Sequence, residues 1–145
     1  MKLDFQRVSN IHINNSNMNT TAKVQNCTWK PIKNFEHYLI SNLGEVLNTR
    51  NNRIKKSCHD HKGYKRIRLI DGRKRGATKK IHRLVAEAFL SDYSETLQVN
   101  HLNAIKDDNR VENLQMVTQS QNIQHAWDNG LMKLTKKDAK GKFHN

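Results

Sequence analysis

The C-terminal third of the chain constrains the fold more than any other stretch. It opens with a short strand-like piece, Leu97-Gln98-Val99, continues through a polar loop at 102–112 and returns in a second strand-like piece at 115–118. A helical pattern follows directly, and either Thr118 or Ser120 can cap its start. This order predicts two short strands followed by a helix.

One imidazole and several carboxamides lie between residues 98 and 122. Asn100 and His101 follow the first strand, Asn109 lies in the loop, Asn113 precedes the second strand, and Asn122 lies in the first turn of the helix. Histidine titrates near neutral pH, so His101 is suited to act as a general base. A single histidine is more often structural than catalytic, so the functional argument depends on the whole ordered set.

The ordered set resembles the HNH endonucleases of phage and intron-homing type. The matching stretches are Val99-Asn100-His101, residues 108–118 and residues 121–126. Members of that family fold this region as a ββα-metal finger, and the resemblance implies such a nuclease domain over residues 80–130. It also implies that the partner is double-stranded DNA and that the reaction is phosphodiester hydrolysis.

The resemblance further implies a role for each polar residue. His101 would be the general base, and the side-chain carbonyl of Asn113 would orient its ring. Asn100 and Asn122 would bind one divalent metal, and oxygen ligands suit Mg²⁺ or Mn²⁺. Because Asn100 stands where the family has an acidic or amide ligand, we expect weaker metal affinity than aspartate would give.

Two further residues are predicted to support the site. His82 matches a histidine landmark upstream of the nuclease finger, and Asn109 is predicted to brace the loop by hydrogen bonding. The same loop departs from the family at Asn103 and Ala104, where an acidic residue and a glycine are usual. If the loop requires a positive φ at Ala104, that residue carries a steric penalty.

Residues 27–79 have the pattern of a small β-rich unit. Tyr38–Ser41 and Glu45–Leu47 look like paired strands, and Gly44 in the intervening turn can adopt a positive φ. The unit resembles the NUMOD-type (nuclease-associated modular) domain that precedes HNH domains in homing endonucleases. The residues that match are Trp29, Pro31, Ile32, Tyr38, Ile40, Ser41, Gly44 and Val46. The whole chain is therefore predicted to be α+β, a DNA-binding β unit followed by the metal finger.

Positive charge is concentrated between residues 50 and 83. The chain carries a formal net charge of +13 with a pI near 10.0, which favours a polyanionic partner. Residues 63–69 alternate apolar and basic, as in a strand with one buried face. The predicted DNA contacts are Arg53, Lys55, Lys56, Lys65, Arg66, Arg68, Lys79, Lys80 and Arg83.

Residues 80–90 show the clearest helical pattern. Ile81, Leu84, Val85, Ala88 and Phe89 fall on one stripe, which predicts a helix packed against the core. In the later helix, Ile123, Ala126 and Trp127 predict a second buried stripe. The chain ends are predicted to be a flexible polar arm at 1–26 and a basic tail at 131–145.

Three functional hypotheses fit the sequence. The first is a metal-dependent DNA endonuclease of the HNH homing type. The second is a catalytically weak or inactive DNA-binding module derived from one. The third is a basic RNA-associated protein, which an aromatic content of 6% disfavours because RNA modules stack bases on exposed rings.

Localisation and assembly are less constrained than function. Cys27 and Cys58 form no disulfide framework, and no apolar stretch suits a signal peptide or a membrane span, so we expect a cytoplasmic protein. A monomer would nick one strand and a homodimer could cut both; the sequence leaves this choice open.

Overall fold

The computed structural model describes residues 27–132, which form an α+β fold. The predicted arm at 1–26 and residues 133–145 of the predicted tail lie outside the described residues. The elements, in chain order, are β1 (Trp29–Ile32), β2 (Phe35–Ser41), β3 (Val46–Asn48), β4 (Arg53–Ile54), β5 (Cys58–His59), β6 (Lys65–Ile70), β7 (Gly76–Lys80), α1 (Ile81–Phe89), β8 (Gln98–His101), β9 (Leu114–Val117) and α2 (Gln119–Asp128). A 3₁₀ turn, Val111–Asn113, precedes β9.

The first sheet has the antiparallel order β1-β2-β3-β4. The turn between β2 and β3 contains Gly44 at φ +84°, which confirms the predicted strand pair and the need for glycine there. The Ser41 hydroxyl accepts hydrogen bonds from the backbone N–H groups of Leu43 and Glu45, at 3.3 and 2.9 Å, and so closes the turn.

The second sheet, β5-β6-β7, carries the alternating basic strand. Ile67 and Leu69 of β6 are 1% and 0% exposed, whereas Arg66 and Arg68 are exposed on the opposite side. The predicted alternation is therefore confirmed. The tip of the β6–β7 hairpin lies at residues 71–75, because residues 76–78 already pair with β6.

A single hydrophobic core joins the two predicted domains. It contains side chains from the first sheet, such as Ile40, from β6, from α1, and from the β8–β9 hairpin, such as Met116. Helix α1 lies at its centre, and the predicted helix and its stripe are confirmed, with Ala88 and Phe89 packed at the margin. Tyr38 is buried in this core, whereas Trp29 is only half-buried.

The third sheet is the antiparallel β8–β9 hairpin, which leads into α2. Thr118 caps α2 in a capping box with Gln121, as the sequence predicts. The predicted buried stripe of α2 is wrong, since Ile123 and Trp127 are 41% and 42% exposed. Helical spacing places those residues on one face, but no other described element covers that face. Within residues 27–132, no helix is long and apolar enough to cross a membrane.

Candidate active site

The β8–β9 hairpin presents the two central residues at the end that carries its connecting loop. Asn100 pairs with Gln115 and His101 pairs with Leu114, and both polar residues are nearly buried, at 8% and 5% exposure. Because side chains alternate along a strand, Val99 and His101 lie on the face toward α1, whereas Asn100 shares the other face with Gln98.

His101 is held by Asn109, a loop residue that is only 3% exposed. The Nδ2 group of Asn109 donates to the carbonyl of Asp107, so its Oδ1 faces His101 and accepts a hydrogen bond from Nε2 at 3.1 Å. This bond keeps the proton on Nε2 and leaves Nδ1 as the basic atom. Burial lowers the pKa of His101, and the bond to Asn109 opposes that shift.

Asn113 occupies a different position from the one predicted. Its Oδ1 accepts from the backbone N–H of Asn103 at 3.0 Å, and its Nδ2 donates to the Asn103 side chain and to the Asp108 carbonyl. Asn113 therefore closes the loop across its base, and the expected carbonyl toward His101 comes from Asn109. Sequence spacing offered both amides and could not distinguish which one the loop would turn toward the imidazole.

His82 and Tyr64 form an aromatic wall behind His101. The His82 ring meets the His101 ring edge-on at 5.3 Å between centroids, and the Tyr64 ring lies 5.0 Å from His82 and 6.0 Å from His101. Burial is the main reason that the pKa of His82 is lowered to about 3, with a smaller contribution from His101. His82 is therefore a neutral ring that fixes one side of His101.

Two ammonium groups flank the same wall. Lys80 and Lys106 place their Nζ atoms 4.6 and 4.9 Å from the centre of the Tyr64 ring. Positive charge therefore lies beside His101 without an ion pair to the imidazole. Nothing in the sequence had singled out Tyr64 or Lys106.

Asn100 and Asn122 are the candidate metal ligands. Among the described residues, the Asn100 side chain has no hydrogen-bond partner although the residue is nearly buried. Asn122 donates its Nδ2 to Gln98 Oε1 at 2.6 Å, which leaves its Oδ1 available. Residues 27–132 contain no cluster of three His, Cys, Asp or Glu side chains suited to a metal. Two amide oxygens fit a hard divalent ion whose other ligands are water and phosphate.

Asp107 ties the loop of the site to the second sheet. Its carboxylate contacts His59 of β5 and Lys65 of β6, and its carbonyl accepts from Lys65 at 3.3 Å as well as from Asn109. The hydrogen bond from His59 is the main cause of the lowered pKa of Asp107. Contacts thus run from β5 and β6 through Asp107 and Asn109 to His101.

The predicted DNA contacts divide into two groups. Arg66, Arg68 and Lys80 are exposed on the outward face of the β6–β7 hairpin, where Arg66 and Lys80 stand directly opposite each other. Arg83 is engaged instead with the carbonyl oxygens of Leu97 and Glu95 at 2.7 and 3.3 Å.

The remaining predicted contacts lie around the edges of the hairpin. Lys55 and Lys56 line a groove beside the first sheet together with Lys65, whose ammonium also reaches Asp107. Arg53 and Lys79 are exposed.

Comparison with known proteins matches two successive parts of the chain to family models. The NUMOD4 motif matches residues 28–70, and the HNH endonuclease family model matches residues 79–124. The DNA endonuclease I-HmuI of Bacillus phage SP01 is 39% identical over 118 residues, which are 81% of this chain and 67% of that protein. The chain belongs to the HNH endonuclease family. The predicted resemblance is thereby confirmed.

Two further HNH matches extend the comparison. An uncharacterized HNH endonuclease of Acanthamoeba polyphaga mimivirus is 44% identical over 113 residues, 75% of this chain but 28% of that protein. A solved structure on DNA binding and cleavage by the HNH homing endonuclease I-HmuI matches with a TM-score of 0.69 and 39% identity. The match covers 74% of this chain and 62% of that one. This HNH chain thus spans about two thirds of I-HmuI and a smaller part of the viral relative.

Proposed function

We propose that this HNH-family chain is a metal-dependent DNA endonuclease that hydrolyses phosphodiester bonds. The observation that carries the proposal is the pair His101 and Asn109, in which a nearly buried imidazole has its Nε2 bound and its Nδ1 unengaged by the described residues. The fold similarity to I-HmuI, an enzyme described as binding and cleaving DNA, supports the same reaction.

In this mechanism His101 activates the attacking water. Nδ1 accepts the proton of the water, and the carbonyl of Asn109 stabilises the resulting imidazolium through Nε2–H. Because burial disfavours the charged ring, the hydrogen bond from Asn109 is needed to keep His101 basic enough. His82 and Tyr64 restrict the ring from behind, so the proton is accepted in one orientation.

Asn100 and Asn122 would hold the divalent metal, Mg²⁺ or Mn²⁺, through their side-chain oxygens. Such an ion, when bound, offsets negative charge on the phosphate and stabilises the leaving oxygen. The two protein ligands are neutral amides, so most of the charge attraction would come from the DNA itself.

DNA would be held mainly through its phosphates by the β unit at 27–79. The outward face of the β6–β7 hairpin, with Arg66, Arg68 and Lys80, leads to the Tyr64 ring and from there to His101. One such site cuts one strand, so a monomer would nick and two copies would be needed for a double-strand break.

Cleavage of supercoiled plasmid tests the function. We expect Mg²⁺-dependent nicking that EDTA abolishes and that His101→Ala reduces by at least about a hundredfold, the usual contribution of a general base. DNA binding, measured by fluorescence anisotropy, should remain. Binding without cleavage by the wild-type chain, on plasmids that carry candidate intron insertion sites, would instead support the inactive DNA-binding module.

A further inference from the structure

We propose that Gln98 is a positioning residue for the metal ligand Asn122, an inference that rests on the proposed function. Gln98 lies on β8 and Asn122 in the first turn of α2, so the 2.6 Å bond between their side chains joins the hairpin to the helix. Both side chains are half-buried, and neither makes another side-chain hydrogen bond within the described chain.

The direction of this bond decides which end of Asn122 faces a cation. A carboxamide has an acceptor end and a donor end of nearly equal size, and rotation of its outer torsion exchanges them easily. Gln98 Oε1 accepts from Nδ2 and therefore holds the donor end of Asn122. The acceptor end, Oδ1, is then the one left for a metal ion.

The strand register places Gln98 beside both proposed metal ligands. Gln98 and Asn100 are two residues apart in β8 and lie on the same face of the hairpin, opposite to His101. Gln98 pairs with Val117, which directly precedes the Thr118 cap of α2. The first turn of α2, with Asn122, is thereby fixed against the face that carries Asn100.

The orientation of the ligand side chain matters more for an amide than for a carboxylate. A carboxylate attracts a cation through either oxygen, but an amide does so only when its carbonyl faces the ion and repels it when the NH₂ group does. With Asn100 and Asn122 as the only protein ligands, a single reversed amide would remove half of them. Gln98 is the residue in contact that prevents the reversal.

Manganese binding to the purified chain, followed by electron paramagnetic resonance of free Mn²⁺, tests the inference apart from activity. Gln98→Met keeps the length of the side chain but replaces the amide oxygen with a weakly accepting thioether. We expect about tenfold weaker Mn²⁺ binding, which is typical for loss of an outer hydrogen bond to a metal ligand. Gln98→Glu keeps an acceptor for Nδ2 and should bind at least as tightly as wild type. Gln124→Met is the matched control, since Gln124 lies on the same helix and donates to Asp128.

The outcomes separate this inference from the proposed function. Asn122→Ala serves as the reference that removes the ligand itself. If Asn122→Ala weakens Mn²⁺ binding but Gln98→Met does not, Gln98 has no positioning role although the metal site stands. Equal losses in Gln98→Met and Gln98→Glu would also overturn the inference. If the wild type binds no Mn²⁺, or Asn122→Ala binds like the wild type, the metal site and the role of Gln98 both fail.

Discussion

At the scale of single residues, His82 is the buried group that has the strongest consequence for folding. Its Nδ1 is buried without a hydrogen-bond partner among the described residues, and its ring packs against Tyr64 and His101. A protonated ring here would face Lys80 and Arg83, whose charges oppose protonation, and only Asp60 favours it. The folded chain therefore needs His82 neutral.

Stability should consequently fall on mild acidification. The pKa of His82 is about 3 in the folded chain and about 6.5 when exposed, so below pH 6.5 the unfolded state gains a proton that the folded state does not. Between pH 7 and pH 5 the group should cost about 2 kcal/mol of unfolding free energy. Urea unfolding at both pH values measures this. The decrease in unfolding free energy from pH 7 to pH 5 should be smaller by that amount in His82→Gln. It should be the same as in the wild type in His61→Gln, an exposed control.

Ala104 carries the strain that its sequence position suggested. It has φ +61°, in the region where a Cβ atom is disfavoured, at the second residue of the loop that follows Leu102. Replacement by glycine should raise the free energy of unfolding by about 1 kcal/mol. Ala126→Gly, in the last turn of α2, should lower it by up to about 1 kcal/mol. A loss of stability in both variants, by thermal or urea unfolding, would contradict the assigned strain.

At the scale of elements, the loop at 102–112, which carries Asn109, is supported by parts of the chain that are distant in sequence. The β5–β6 sheet reaches it through Asp107, and the β2–β3 turn reaches it through the bond from Val111 N–H to the Asn42 carbonyl at 2.9 Å. Gly44 in that turn lies so close that a Cβ atom would stand 2.9 Å from the Asn109 Cβ. The NUMOD-type region thus helps to hold Asn109, the hydrogen-bond partner of the proposed general base His101.

Substitutions at two glycines separate the cost of backbone strain from the cost of a steric contact with Asn109. Gly44 and Gly63 have nearly equal φ values, +84° and +83°, but an added Cβ at Gly63 meets nothing closer than 3.9 Å. Gly63→Ala should cost about 1–2 kcal/mol of stability through strain alone. Gly44→Ala should cost more and should also slow DNA cleavage by the folded enzyme, because Asn109 shifts. Equal cleavage rates in the two variants would argue against support of Asn109 by the turn.

The elements were more predictable than their contacts. Local patterns gave α1, the alternating β6 strand and the β8–β9 hairpin, since each depends on periodicity within a few residues. They did not give the partner of His101, because two asparagines four residues apart compete and only the folded loop selects Asn109. They also predicted burial for Trp127, although no other described element covers that face of α2.

At the scale of the whole molecule, the charged face of the β6–β7 hairpin is the surface proposed to bind DNA. Arg66 and Lys80 stand opposite each other across the β6–β7 hairpin, and the Lys80 ammonium also lies 3.9 Å from the Asp60 carboxylate. The same face adjoins the aromatic wall of the candidate site, so the proposed DNA contacts and the proposed general base lie on one continuous surface.

The salt dependence of DNA binding tests this surface. The logarithm of the DNA-binding constant falls linearly with the logarithm of salt concentration. Each phosphate contact that is lost should reduce the magnitude of this negative slope by about 1. We expect this reduction for Arg68→Gln and for Arg66→Gln. Lys30→Gln should leave the slope unchanged, because Lys30 bonds to the Ala88 carbonyl and lies over Phe89 on another part of the molecule. If all three substitutions changed the slope equally, the net charge of the protein rather than this surface would determine the salt dependence.

Chemical rescue is the most direct test of whether His101 acts as the general base. In His101→Gly the imidazole is removed and its space is left open, so added imidazole can take the proton from water in its place. We predict that cleavage of plasmid DNA is lost in this variant and partly restored by imidazole in a concentration-dependent way. His82→Gly, which removes a supporting ring, should not be restored. If His101→Gly cleaves DNA at the wild-type rate, or if imidazole rescues His82→Gly and not His101→Gly, His101 is not the base.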